Sequence, residues 1–218
     1  MKTLNLEAEM TRLLFGFAIG LSLNTLFAGQ GTSSENWQEY SFSQGGAVRL
    51  QLSSGDYIVR AASSDRLLVR WQAESPEFER DMKKIRVQTD VSGNVATIRT
   101  EGPTKHARIT IDVPARSDLH LRMRAGDVRI TGVEGNKDIH MTAGDLKIEM
   151  APTLYSHVHA SVTIGDLRAS PLGISMDGIR NSFEWNGTGR YILDASLFAG
   201  DLTLARMPSI DRSYRQSP

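Results

Sequence analysis

The sequence predicts an all-β protein, a parallel β-solenoid of β-helix-like form with short irregular coils and one short helix. Three observations carry that prediction. First, apolar residues alternate with polar ones along most of the chain, the period of a strand with one buried face. Second, a Gly-Asp pair interrupts the alternation five times, at Gly55-Asp56, Gly126-Asp127, Gly144-Asp145, Gly165-Asp166 and Gly200-Asp201, and the apolar parity changes across each pair. Leu119, Leu121, Met123 and Ala125 are odd-numbered, whereas Val128 and Ile130 beyond the pair are even. An undistorted strand cannot move its buried face in this way, so each pair must be a corner or bulge. Third, consecutive pairs in the second half lie 18, 21 and 35 residues apart. A period near 20 residues suits stacked coils, none of which buries enough apolar surface alone. The competing architecture is an antiparallel meander with Gly-Asp hairpins, which the repeated parity change disfavours.

The elements follow in order. Residues 13–27 are largely apolar, with Arg12 before them and Ala28-Gly29 after, so 1–29 reads as a secretory signal peptide. Glu7 and Glu9 sit oddly in a positive leader, which makes Met10 an alternative start. The apolar run is shorter than the ~20 residues of a spanning helix, and the mature chain is expected to carry no stable membrane span. Residues 37–208 read as one domain, with 37–113 less regular than 114–208. Strands are expected at 40–42, 48–52, 56–60 and 67–71. A helix is expected over 76–84, with Ser75 as its cap, Pro76 in its first turn and Glu77 and Glu79 at its positive end. Strands resume at 85–89, 95–100 and 106–113, the last ending at Pro114. The repeated part begins at Asp118. Its 35-residue gap holds Asp177-Gly178, the pair in reversed order, which reads as an altered middle corner. Residues 209–218 read as a disordered tail.

Composition excludes several function classes. Lys+Arg and Asp+Glu both number 25, so no global field favours nucleic acid or anionic lipid. The absence of cysteine removes disulfides, thiolate metal sites, a thiol nucleophile and a lipoprotein anchor.

The stretch 109–148 carries a family resemblance. It reads Ile-Thr-Ile-Asp-Val-Pro, then Asp-Leu-His-Leu-Arg-Met-Arg-Ala-Gly-Asp-Val-Arg-Ile-Thr-Gly-Val-Glu-Gly, then Asp-Ile-His-Met-Thr-Ala-Gly-Asp-Leu-Lys-Ile. This resembles the bacterial putative-adhesin family, which is related to the toastrack domains of envelope-stress proteins. The matching features are Val113-Pro114, the Gly-Asp corners and the turn Gly132-Val133-Glu134-Gly135. Near the C-terminus, Phe183-Glu-Trp185 and Gly187-Thr-Gly189 fit the same pattern. The resemblance implies an exported or membrane-tethered β-solenoid of unknown function and brings no catalytic residues with it. The chain departs from the pattern between Asp166 and Gly200.

Candidate site residues are few. With coils in register, Asp127, Asp145, Asp166 and Asp201 would form a column with ~4.8 Å between strands. Carboxylates that close need a cation between them or turn N–H donors, and local capping is the simpler expectation. His157 and His159 share one strand face, the spacing of two metal ligands, but with only two ligands in view exposed polar residues are the simpler reading. These six are the weak metal candidates; no metal, other cofactor or catalytic residue is expected. Arg122, Arg124, Arg129, Lys147 and Arg168 flank the corners as a basic stripe or a mixed solvated face. Trp37, Trp71 and Trp185 suit a sugar-stacking platform or the core. No nucleophile elbow, zinc motif, P-loop or dinucleotide loop is present.

The expected function is that of an exported, non-enzymatic surface-binding module, periplasmic or at the cell surface, with envelope polysaccharide or an envelope protein as partner and no nucleic acid. The alternatives are a partner or regulator in envelope-stress sensing and, less favoured, a polysaccharide-active enzyme.

Overall fold

The computed structural model describes residues 36–208; the expected signal peptide (1–29) and the expected tail (209–218) lie outside the described residues. In chain order the strands are β1 (Asn36–Ser41), β2 (Ala47–Leu52), β3 (Gly55–Ala62) and β4 (Arg66–Ala73), followed by the helix α1 (Glu79–Met82). Then come β5 (Arg86–Ser92), β6 (Val95–Glu101), β7 (Ala107–Pro114), β8 (Asp118–Thr131), β9 (Lys137–Ala143) and β10 (Leu146–Met150). The last are β11 (Tyr155–Ile164), β12 (Leu167–Ala169), β13 (Ile174–Met176), β14 (Ile179–Asn186), β15 (Tyr191–Ala199) and β16 (Leu202–Arg206).

The strands form two sheets that share β8. Sheet I has the order β1-β4-β7-β3-β8-β10-β16-β12-β13. Sheet II has the order β5-β6-β2-β8-β9-β15-β11-β14. The first part of β8, ending at Ala125, lies in sheet II, and its continuation from Gly126 lies in sheet I. The same crossing takes β2 to β3, β9 to β10, β11 to β12 and β15 to β16.

Both sheets are mixed, which corrects the expectation of a purely parallel solenoid. Their middle strands are parallel, but β4, β1, β13, β5 and β14 run antiparallel to their neighbours at the ends. The reversed pair Asp177-Gly178 stands where the chain returns from sheet I to sheet II, between β13 and β14. Reversed travel past the same edge accounts for the reversed order, and Gly165 N–H donates to the Gly178 carbonyl at 2.9 Å. Spatial order also departs from chain order. The β15–β16 pair is inserted between β9–β10 and β11–β12, and β6–β7 lies between β2–β3 and the antiparallel end strands.

Leu119, Leu121, Val128, Ile130, Ile139, Ile148, Val158, Leu167, Leu193 and Leu202 are all buried in one core. Parity changes at each corner because the chain passes from one sheet to the other while the core stays on its inner side. Ile164 departs from this pattern. At 51% exposed it stands outside the core, opposite Ile179 in the β11–β14 register.

The helix is shorter than expected. A 3-10 turn over Pro76–Phe78 precedes the single turn of α1, and Ser75 makes no side-chain cap. Its hydroxyl bonds the Glu77 carboxylate instead, at 3.2 Å. Met82 anchors the segment by burial.

Candidate functional site

The corners stack into a column in the order Gly55, Gly126, Gly144, Gly200, Gly165. A Cβ on Gly144 would stand 2.0 Å from the Gly126 carbonyl oxygen, one on Gly200 2.0 Å from that of Gly144, and one on Gly165 2.0 Å from that of Gly200. With φ at +110° for Gly144, both the backbone conformation and the close approach require glycine. Above Gly55 the column ends on Thr104, where β6 crosses to β7 without a Gly-Asp pair.

The aspartates form a ladder beside the glycines. Asp145 N–H donates to the Asp127 carboxylate at 3.1 Å, Asp201 N–H to Asp145 at 3.3 Å, and Asp166 N–H to Asp201 at 3.2 Å. The Asp127, Asp145 and Asp201 carboxylates therefore each serve the next strand crossing rather than their own turn, a correction to the expected local capping. Burial holds the Asp56 carboxyl above its ordinary range, with the Asp127 and Glu74 charges adding to the effect. Asp166 also pairs with Arg168. Among the described residues no group of three His, Asp or Glu side chains is assembled to hold a metal.

His157 and His159 lie on the outer face of sheet II, each with a separate partner. His157 Nδ1 is 2.8 Å from Asn186 Oδ1, and His159 Nδ1 is 3.2 Å from Asp194 Oδ1. The stronger cluster on this face is one the sequence reading passed over. Asp138 takes Arg122 Nη2 at 2.8 Å, His140 Nε2 at 2.8 Å and His120 Nδ1 at 3.4 Å. The Arg122 hydrogen bond, helped by His120 and by the charges of Arg122 and His140 and opposed by burial, brings the Asp138 carboxyl down to about 2. Its signal in the sequence was the spacing of His120 and Asp138, 18 residues apart like the corners, which puts them side by side in the β8–β9 register.

Ser196 hydrogen-bonds His140 Nδ1, so Ser196, His140 and Asp138 stand in the order of a hydrolase triad. Yet Ser196 is in mid-strand with parallel neighbours on both sides. The backbone N–H groups around it belong to the ladders, leaving no donor pair to receive an oxyanion. The cluster orients side chains; it has no acyl-transfer geometry.

Next to this cluster a shallow groove of about 1180 Å³ runs across sheet II. Arg122, Arg124, His140, Ser161, Thr163 and Phe198 are among its lining. Phe198 is 54% exposed, whereas Trp71 belongs to the core and Trp37 and Trp185 are half-buried. The aromatic side chain on the lining of this groove is therefore Phe198 and none of the three tryptophans. Of the basic residues expected near the corners, Arg122 and Arg124 line this groove, while Arg129 and Lys147 lie in one register row on the opposite sheet.

No family model matches the chain, and no curated protein is significantly similar to it. Solved structures do match. A crystal structure of a putative cell adhesion protein from Clostridium sporogenes aligns with 79% of this chain and 99% of its own, at 12% identity and a TM-score of 0.50. A putative adhesin from Bacteroides fragilis aligns with 78% of this chain and 96% of its own, at 12% identity and a TM-score of 0.32. At such identities the first likeness establishes a shared fold, and it is with a protein of the kind to which the resemblance at 109–148 pointed.

Proposed function

We propose that the protein is an exported, non-enzymatic binding module of the cell envelope, adhesin-like, and that the groove on sheet II takes an acidic polysaccharide. The observation that carries this reading is the groove's lining. Arg124 has no acidic partner among the described residues, serine and threonine residues share the lining with it, and Phe198 offers a flat apolar face of the kind sugars stack on. The stacked strands hold these groups at fixed spacing, which suits a repeating polymer better than a small molecule. The shared fold of a protein described as a cell adhesion protein supports a role at the surface.

Calorimetric titration with an acidic and a neutral polysaccharide tests the proposal. Saturable binding to the acidic polymer, weakened severalfold in both Phe198→Ala and Arg124→Ala at unchanged melting temperature, is the expected result. Equal binding of both polymers, or full binding by both variants, overturns it.

A second reading, a protein partner in envelope-stress sensing, draws on the apolar patch of Ile164 and Ile179, 51% and 73% exposed at one end of sheet II. A stoichiometric protein captured from envelope extracts and lost in Ile179→Lys would favour it.

A further inference from the structure

Sheet I carries a second cluster, on the face away from the groove. In the β4–β7–β3 register Arg70 stands beside Thr110, Gln72 beside Arg108, and Asp112 beside Arg60. Arg60, Arg70, Gln72, Arg108 and Thr110 together enclose a depression of about 190 Å³. Asp112, whose side chain is 10% exposed, fixes two of the guanidinium groups. It accepts from Arg70 Nη2 at 2.7 Å and from Arg60 Nη2 at 3.3 Å, and also from Arg60 Nε.

Two guanidinium groups thus share one buried carboxylate, and a third, that of Arg108, lines the same depression without one. Arg70 Nε is buried and has no hydrogen-bond partner among the described residues, so its desolvation is not repaid within the chain. Arg108 makes no ion pair or hydrogen bond among the described residues, and Asp56, next to it in register, does not pair with it. The donors therefore converge from three strands on a space the size of one small group, with the Thr110 side chain on its lining.

We propose that this depression is a binding site for a phosphate group, specifically a phosphomonoester. A planar carboxylate is satisfied by one bidentate arginine, whereas donors from three directions suit a tetrahedral oxyanion with a charge near −2. Asp112 orients the arginines and leaves their outer N–H groups to the ligand. The phosphate belongs to a soluble ester or to a lipid headgroup, and the chemistry recognised is the same.

The test uses the whole protein and inorganic phosphate, at ionic strength matched with chloride. Phosphate is expected to raise the melting temperature saturably and to move the Arg70 Nε–Hε resonance. Arg108→Gln, which leaves both Asp112 ion pairs intact, should weaken binding about tenfold; Thr110→Val should weaken it less, and neither should lower the melting temperature without phosphate. A phosphate response no larger than that of chloride, or unchanged affinity in Arg108→Gln, overturns the site. Phosphatidylcholine vesicles with and without phosphatidic acid identify the source. Sedimentation with the acidic vesicles alone, competed by phosphate, supports a headgroup; a phosphate response without sedimentation supports a soluble ester. Because the site is on the sheet opposite the groove, polysaccharide binding and phosphate binding succeed or fail independently.

Discussion

The side-chain nitrogen of Lys137 lies 2.6 Å from the hydroxyl of Tyr155, deep inside the protein. Its other partners are the carbonyls of Val133 at 2.8 Å and Gly135 at 3.2 Å. Two acceptors and one hydroxyl that can donate complete the shell of a neutral amine. Burial brings Lys137 down to about 7, against the opposing charges of Asp118 and Glu134. Burial also raises the Tyr155 phenol. The nitrogen ties the turn at 132–135 to β11 at the edge opposite the Gly-Asp corners.

This pair sets a pH dependence. Between about 7 and the ordinary lysine value of 10.5 the folded state holds fewer protons at Lys137 than the unfolded chain, so stability rises with pH across that window. Above pH ~10 Tyr155 keeps a proton that the unfolded chain releases, and stability falls again. Lys137→Met is expected to be close to neutral near pH 7, where losing the buried charge offsets the orphaned carbonyls. Near pH 9 it should cost about 1–3 kcal/mol. Urea midpoints across this range decide the matter, and parallel curves for the two proteins would count against a neutral lysine.

Gly144→Val should abolish folding. The added Cβ meets a backbone oxygen that cannot move without displacing the neighbouring corner, and the positive φ adds about 1–3 kcal/mol of strain. Gly173 is the control. It has a φ of +71° but open space around it, so Gly173→Ala should cost only ~1 kcal/mol. Soluble expression and chemical denaturation compare the two directly.

Asp145→Asn keeps an oxygen to accept the Asp201 N–H and should change stability by less than ~0.5 kcal/mol, whereas Asp145→Ala loses the acceptor and should cost ~1 kcal/mol. Millimolar Ca²⁺ should leave the melting temperature of the parent protein unchanged. A clear rise abolished in Asp145→Asn would instead make the ladder a cation site.

Asp138→Asn removes the charge that holds Arg122, His120 and His140 together. The folded carboxyl titrates near 2, below its ordinary value, so its contribution is present above pH ~4 and is lost as pH falls toward 2. Exposure limits that contribution to under ~1 kcal/mol. The larger effect is expected in the groove, where releasing Arg122 should strengthen acidic-polysaccharide binding severalfold at neutral pH. Weaker binding would show that Asp138 is needed to place Arg122.

Much of the fold was legible because a change of parity is a geometric statement. Leu121 and Val128 could share one core only if the chain crossed between two sheets at Gly126. The order of the strands was hidden, since it depends on pairings such as that of Leu193 with Lys137, which no local pattern encodes. The crossing at Thr104 was missed for another reason. Buried hydroxyls do there what Gly-Asp does elsewhere, Tyr57 and Thr100 meeting at 2.7 Å and Ser53 joining both. The candidate site was the least legible part. Phe198 reads as one more residue of an alternating strand, and its exposure follows from which neighbours flank β15.

The insertion of β15–β16 between older neighbours has a consequence for biosynthesis. As the chain leaves the ribosome, β9–β10 and β11–β12 are complete before the strands that separate them exist. They must either wait with open edges, which invite pairing with other chains, or meet in a wrong register that later has to open. The last strands made thus act as a wedge driven into the middle of the sheets. Assembly cannot simply grow outward from the first coil; it has to be closed from within.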